Sequence, residues 1–176
     1  MSQTSAEILI IVINALGAGM LMTIAGVIQK IMNDMDVHTF KWFLNKLDKT
    51  AMSNPFAVVI GTLPVIVTIL YFVFYGFSHW WFTAGLIVWM IGGTITKVIN
   101  MPVYKWVGDP KNTDPEEVSK QRRTLQLGNN GRAWLTLVSV FVMASQFGVR
   151  EAATVVGFSI ILVFPLLWLA RKYMTN

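Results

Sequence analysis

Cysteine is absent from this 176-residue chain. That excludes disulfides, thiolate nucleophiles and cysteine-ligated zinc or iron–sulfur centres, and leaves the redox compartment undetermined. Charge is scarce, at 13% of residues against roughly 25% in ordinary globular domains. Histidine occurs twice, as His38 and His79, too few for an all-histidine metal site. Asn129 and its flanking glycines, Gly128 and Gly131, lack the Gly-Lys-Ser/Thr ending by which a phosphate loop holds nucleotide.

Apolar side chains are what the chain has in quantity: they make up 55% of it, with a mean hydropathy of +0.58. Apolar runs cover 8–31, 55–75, 80–101, 132–147 and 152–170. Backbone polar groups in hydrocarbon must be satisfied within their own segment, so runs near ~20 residues are read as helices. The sequence therefore predicts one all-α membrane domain over residues 1–176, a bundle of about five transmembrane helices. The first run has no basic residue ahead of it and exceeds a signal-peptide core, so it is read as a retained span.

Lys and Arg collect in alternate connections. Lys41, Lys46 and Lys49 follow the first run, Lys105, Lys111, Lys120, Arg122 and Arg123 follow the third, and Arg171 and Lys172 follow the fifth. The positive-inside bias then predicts an integral protein of the cytoplasmic membrane with its amino terminus outside and its carboxyl terminus in the cytoplasm. Trp80 and Trp81 fall at the outer boundary on this topology, and Trp106, Trp134 and Trp168 near the inner one. The net charge of +5 and pI of 9.6 are assigned to attraction toward anionic inner-leaflet headgroups, with no nucleic-acid partner.

Between the runs, Phe40, Phe43, Leu44, Leu47 and Ala51 recur at helical spacing opposite Lys41, Asn45, Asp48 and Lys49. This predicts an amphipathic interfacial helix over about 36–52 on the cytoplasmic surface, ended by Ser53-Asn54-Pro55, where Asn54 caps the next span. Asp114 with Pro115, Glu116 and Glu117 predicts a loop helix over about 115–127. Gly128 and Gly131 are read as a bend leading into the fourth span.

Polar residues at membrane depth are costly and mark candidate sites. Arg132, Ser139 and Gln146 are spaced for one helix face, with Gln29, Lys97 and Asn100 near its inner end and Asn14 near its outer end. Arg132 is expected to point into the bundle, held by Asn129 or Asn100, at the inner end of a polar cavity. Asn14 is expected to bond across helices, and the small residues Ala15, Gly19 and Thr23, with Gly92 and Thr96, to pack helices closely. The topology puts His38 and His79 on opposite sides of the membrane, so no metal site is assigned. No carboxylate lies within the runs as bounded, so no buried acid–base pair is expected.

The glycine-rich first span, the Asn54-Pro55 entry to the second, INMPVYKWV after the third and the Asn129-x-x-Arg132 entry to the fourth resemble the small four-span membrane protein family that includes fungal anthrone oxygenases. The chain departs from that pattern in placing its amide before the proline, at Asn100-x-Pro102, and in carrying a fifth span. The resemblance implies a membrane enzyme acting on a phenolic or quinol-type lipophilic substrate. It assigns Arg132, Asn129 and Asn100 as candidate catalytic donors to an oxyanion and Trp106 or Trp134 as a flat apolar wall for the substrate; Gln29, Ser139 and Gln146 join the candidate substrate-binding residues from the polar face described above. No cofactor is identified.

The competing reading is a non-enzymatic membrane component, either a homo-oligomer or an accessory subunit, whose fifth span meets the partner. A small-molecule transporter or channel is the third.

Overall fold

A computed structural model describes Ser2 to Met174, with the side chains of some positions from 155 onward lying outside that description. The described residues are helical with no strand. Capping chemistry explains most of the boundaries. Ser2 accepts from the Ser5 amide and starts α1 (Gln3–Asp34), ahead of the apolar run at Ile8. Asp36 accepts from the amides of His38 and Thr39 and starts α2 (Val37–Ser53). The expected Asn54 cap, bonded to the amides of Phe56 and Ala57 with Pro55 in the first turn, starts α3 (Pro55–Tyr75). Gly76, at φ 67°, closes α3 in a conformation that a side chain would strain. There follow α4 (Trp80–Gly108), α5 (Pro115–Ala144), started by Asp114, and α6 (Val149–Met174).

Three of these helices, α1, α3 and α4, are long and apolar enough to cross a membrane. This is fewer than the five read from the sequence. The fourth run is the second half of α5, whose first half carries Glu116, Glu117, Lys120, Arg122 and Arg123. With that charged half in the same helix, α5 is not among the three. The fifth run lies in α6, only part of whose side chains are described.

The expected loop helix over 115–127 and the expected bend are also corrected, because Gly128 and Gly131 lie inside an uninterrupted α5. These glycines serve close approach instead. A Cβ on Gly128 would collide with the Asn100 side chain, and one on Gly85 would collide with Met143. Gly92 behaves as expected, since its Cβ would lie 3.4 Å from that of Leu135. Glycine lets backbones approach where dispersion, not the hydrophobic effect, holds helices together in lipid.

α5 consequently packs most extensively on α4 and then on α1, and α3 packs on α1. The Ala15, Gly19 and Thr23 face does not pack as expected: all three are exposed, and nothing lies within 4 Å of a Cβ built on Gly19. Thr23 donates to its own helix at the Gly19 carbonyl, 3.0 Å away.

Two apolar cores result. One gathers Ala6, Ile10, Tyr71, Phe82, Leu86 and Met143 at the amino-terminal end of α1. The other joins Met32, Phe40, Leu44, Val103, Val107, Val118 and Leu125 at the opposite end. The apolar stripe of α2 is thus covered by protein at Phe40 and Leu44, because the ends of α4 and α5 present a surface to it. Lys41 bonds the carbonyls of Asp109 and Asn112 at 2.8 and 2.6 Å, tying α2 to the α4–α5 connection.

Candidate functional site

Buried polar side chains form a cluster near each core. The first runs across the middle of α5. Asn100 donates to Asn129 at 3.0 Å, Asn129 to Gln29 at 2.9 Å, Gln29 to Asn33 at 3.0 Å and Asn33 to Gln126 at 3.2 Å. These amides form a head-to-tail chain linking α4, α5 and α1, with Asn100, Asn129 and Gln29 fully buried. Two π-helical turns flank it, Ile24–Ile28 just before Gln29 and Thr96–Asn100 ending at Asn100. A wider turn rotates the residues beyond it relative to a regular helix, so each π turn re-aims one amide toward α5. The remaining Asn100 Oδ1 has no hydrogen-bond partner and lies against Gly128, where a Cβ would collide with it. A Cα–H contact is what that arrangement offers.

Arg132 is not a member of this chain. Its guanidinium donates to Thr96 Oγ1 at 3.3 Å, not to Asn129 or Asn100 as expected, and its Nε is buried without a partner. The reason is helical continuity: with no bend at Gly128, Asn129 faces Asn100 and Gln29 while Arg132, almost one turn on, faces the start of the π turn. Ser139 is buried but bonds back to the Thr136 carbonyl. Gln146 sits half-buried in the Ser145–Phe147 turn. Trp134 is 61% exposed, and Trp106 packs against the second core. The structure therefore brings Gln29, Asn100 and Asn129 together and leaves Trp106, Trp134, Ser139 and Gln146 apart from them. Asn14, expected to bond across helices, donates to the Ile10 carbonyl of its own helix.

Arg122 extends the amide chain toward the connection. It donates to the Asn33 carbonyl at 2.7 Å and stacks over Phe40, 4.5 Å from the ring centroid. Burial lowers its pKa, and the charge of Asp36 opposes that shift. The same Asp36 carboxylate is held below its ordinary pKa, chiefly by hydrogen bonds from the Thr39 hydroxyl and amide.

The second cluster lies where α1 begins and α3 turns into α4. Its centre is Glu7, a fully buried carboxylate. Tyr71 donates its phenol to Glu7 Oε1 at 2.7 Å, and His79 Nδ1 lies 2.5 Å from the same oxygen. The Gln3 amide stands 3.3 Å from Glu7 Oε1, 3.1 Å from the Tyr71 hydroxyl and 2.9 Å from Ser78 Oγ. Glu7 Oε2 is buried with no hydrogen-bond partner, as are the hydroxyls of Thr68 and Thr83. His79 keeps 33% of its side chain exposed while Glu7 keeps 1%.

A cavity of about 320 Å³ opens beside this cluster between α1 and α3, lined by Leu9, Ile10, Val67, Leu70, Tyr71 and Phe74 among others. Tyr71 belongs to both cavity and cluster.

The absence of a buried carboxylate expected from the sequence is thus corrected. Glu7 lies just outside the apolar run but well inside α1, because the Ser2 cap starts the helix earlier. The spacing of Gln3, Glu7, Ile10 and Asn14 down one helix face was the available signal. Tyr71 and His79 carried none, since only the α3–α4 turn brings them to Glu7. Among the described residues no group of three or more His, Asp or Glu is placed to hold a metal ion.

No family model, curated protein or solved structure matches the chain. Among the described residues, three apolar helices of spanning length, two of them contributing to each polar cluster, are compatible with an integral membrane protein.

Proposed function

We propose that the chain is an integral protein of the cytoplasmic membrane with five spans, its amino terminus outside and its carboxyl terminus in the cytoplasm. Within that membrane it acts as a non-enzymatic component of an assembly, formed with further copies of itself or with another subunit. α6 carries the proposal. Its contacts among the described residues concentrate at its junction with α5, and Phe158, Ile161 and Leu166 along it are exposed. Exposure to lipid alone would say nothing, but a spanning helix gains its position from side-chain packing on other helices. A partner helix would supply it.

The absence of native cysteine makes the test direct. Phe158→Cys and Ile161→Cys, each as the sole cysteine, are oxidised or treated with a bifunctional thiol reagent in native membranes. A cross-linked dimer identifies a homo-oligomer, and a heavier adduct with a second protein identifies an accessory subunit. A chain that stays monomeric in membranes, and whose migration is unchanged on removing α6, overturns the proposal.

The enzyme reading, an anthrone-oxygenase-like activity on a phenolic or quinol-type substrate, has one observation on its side: Arg132 Nε is buried and unpartnered. Against it, Asn100 and Asn129 spend their amides on each other and on Gln29. Oxygen uptake by the purified chain with an anthrone, lost in Arg132→Gln, would favour it over the subunit reading.

A further inference from the structure

We propose that Arg132 is the centre of a binding site for the phosphodiester of an anionic phospholipid, completed by Lys97, Tyr104 and Lys105 along one flank of α4. The site rests on the reading of the chain as an integral membrane protein. Arg132 supplies the reason for a ligand. Its Nη1 donates to Thr96 at 3.3 Å. Its Nε is buried without a partner and out of reach, whereas its Nη2 is neither bonded to a described residue nor among the buried unpartnered atoms. A guanidinium carries five N–H donors, so most of this one is unspent. Among the described residues no carboxylate pairs with it. An unpaired cation at membrane depth is costly, and an anion that reaches Nη2 offsets that cost without displacing a partner.

The rest of the site comes from α4. Two of its residues lie beside Arg132: Thr96, through the hydrogen bond, and Tyr104, close enough to act on the guanidinium charge. Each is followed by an exposed lysine, Lys97 and Lys105. With the exposed Met101 midway between them, these lysines recur every fourth residue and share a flank of the helix. The partly buried Tyr104 adds a neutral phenol. Among the described residues the carboxylate that acts on this group is Asp48 of α2, through Tyr104, so three cations leave the site net positive. The apolar run of α4 ends at 101, which puts Lys97 inside it and Lys105 beyond it. Long cationic side chains straddling that edge reach headgroup level by extending along apolar surface. Phosphate oxygens suit both the planar guanidinium and the compact ammonium groups. A zwitterionic headgroup would bring a cation of its own against these three, which favours an anionic one.

The full chain in detergent is titrated with phosphatidylglycerol, or with phosphatidylcholine of the same acyl chains, and read by native mass spectrometry. One phosphatidylglycerol is expected to stay bound at concentrations where phosphatidylcholine does not. Arg132→Gln and Lys105→Gln should each weaken it about tenfold, the scale of one hydrogen bond to a charged group. Lys46→Gln, which removes the same charge from an exposed position on α2, should leave it unchanged. Equal retention of the two lipids, or an equal loss in Lys46→Gln, would overturn the site. Competition by millimolar inorganic phosphate would make a free anion the ligand and overturn the lipid assignment. If Arg132→Gln fails to fold, Lys105→Gln decides alone, and binding unchanged there overturns the site. Release of the chain from membranes by alkaline carbonate would overturn the membrane reading itself, independently of the lipid comparison.

Discussion

Glycine at 128 is a demand of one neighbouring atom. The Asn100 carboxamide occupies the space a Cβ would take, so Gly128→Ala must push Asn100 off Asn129 or separate α4 from α5. A loss of about 1–3 kcal/mol is expected, as for overpacking elsewhere, seen as a lower melting temperature in detergent. Gly17→Ala, which meets nothing within 4 Å, should leave it nearly unchanged and serves as the control. Similar reasoning separates Asn129 from Arg132. Asn129→Ala removes two buried bonds and strands Gln29 and Asn100, whereas Arg132→Gln removes one longer bond to Thr96. Asn129→Ala should therefore destabilise by about 1–3 kcal/mol, and Arg132→Gln by less. A larger effect at Arg132 would reassign the centre of that cluster. Tyr71→Phe tests the other one: it takes a donor from a buried carboxylate and should lower the melting temperature even though the ring still fills its place against Phe82.

For the helices, caps and turns decide where each begins, and one cap carries a pH dependence. Asp36 titrates below its ordinary value of 3.8 when α2 is folded. A carboxylate with a lowered folded pKa stabilises at pH above its unfolded value and loses that contribution as pH falls through the folded one. The cap of α2 should therefore persist at neutral pH and fray only below about 3.8. The amides of His38 and Thr39, which donate to Asp36, should show fast hydrogen exchange there, and Asp36→Asn should flatten the response. The starts at Asn54 and Asp114 were legible beforehand, since Asn54-Pro55 and Asp114-Pro115 mark helix starts by local chemistry; those at Ser2 and Asp36 were not. The continuity of α5 was not. Gly128 and Gly131 read as punctuation in a single sequence, because helix propensity penalises glycine and carries no information about a neighbouring helix that needs the room.

As a whole the protein packs α5 against α4 and α1 and α3 against α1, with α2 closing one end and α6 leaving the other. Topology is the property of this scale to test. Single cysteines at Thr4 and Ser78, both exposed near the Glu7 cluster, should react with an impermeant thiol reagent on intact cells, while one at Ser119 in the first half of α5 should not. Labelling confined to Ser119 would invert the proposed orientation. Thr175, at the carboxyl end, lies outside the described residues.

The sequence alone determined the helical class, the apolar segments and the caps at Asn54 and Asp114, because these depend on hydropathy and on side chains within a few residues of the backbone groups they satisfy. It also marked Gln29, Asn100 and Asn129 as polar groups at membrane depth, though not that they bond to one another. Which polar groups meet was decided only by the tertiary structure. Gln29 and Asn129 are 100 positions apart and Glu7 and His79 are 72 apart, and hydrogen bonding requires approach within about 3 Å, a condition set by how helices pack. The same packing built a second polar cluster on Glu7, where the boundary of an apolar run had hidden it, apart from Arg132, where the pattern pointed.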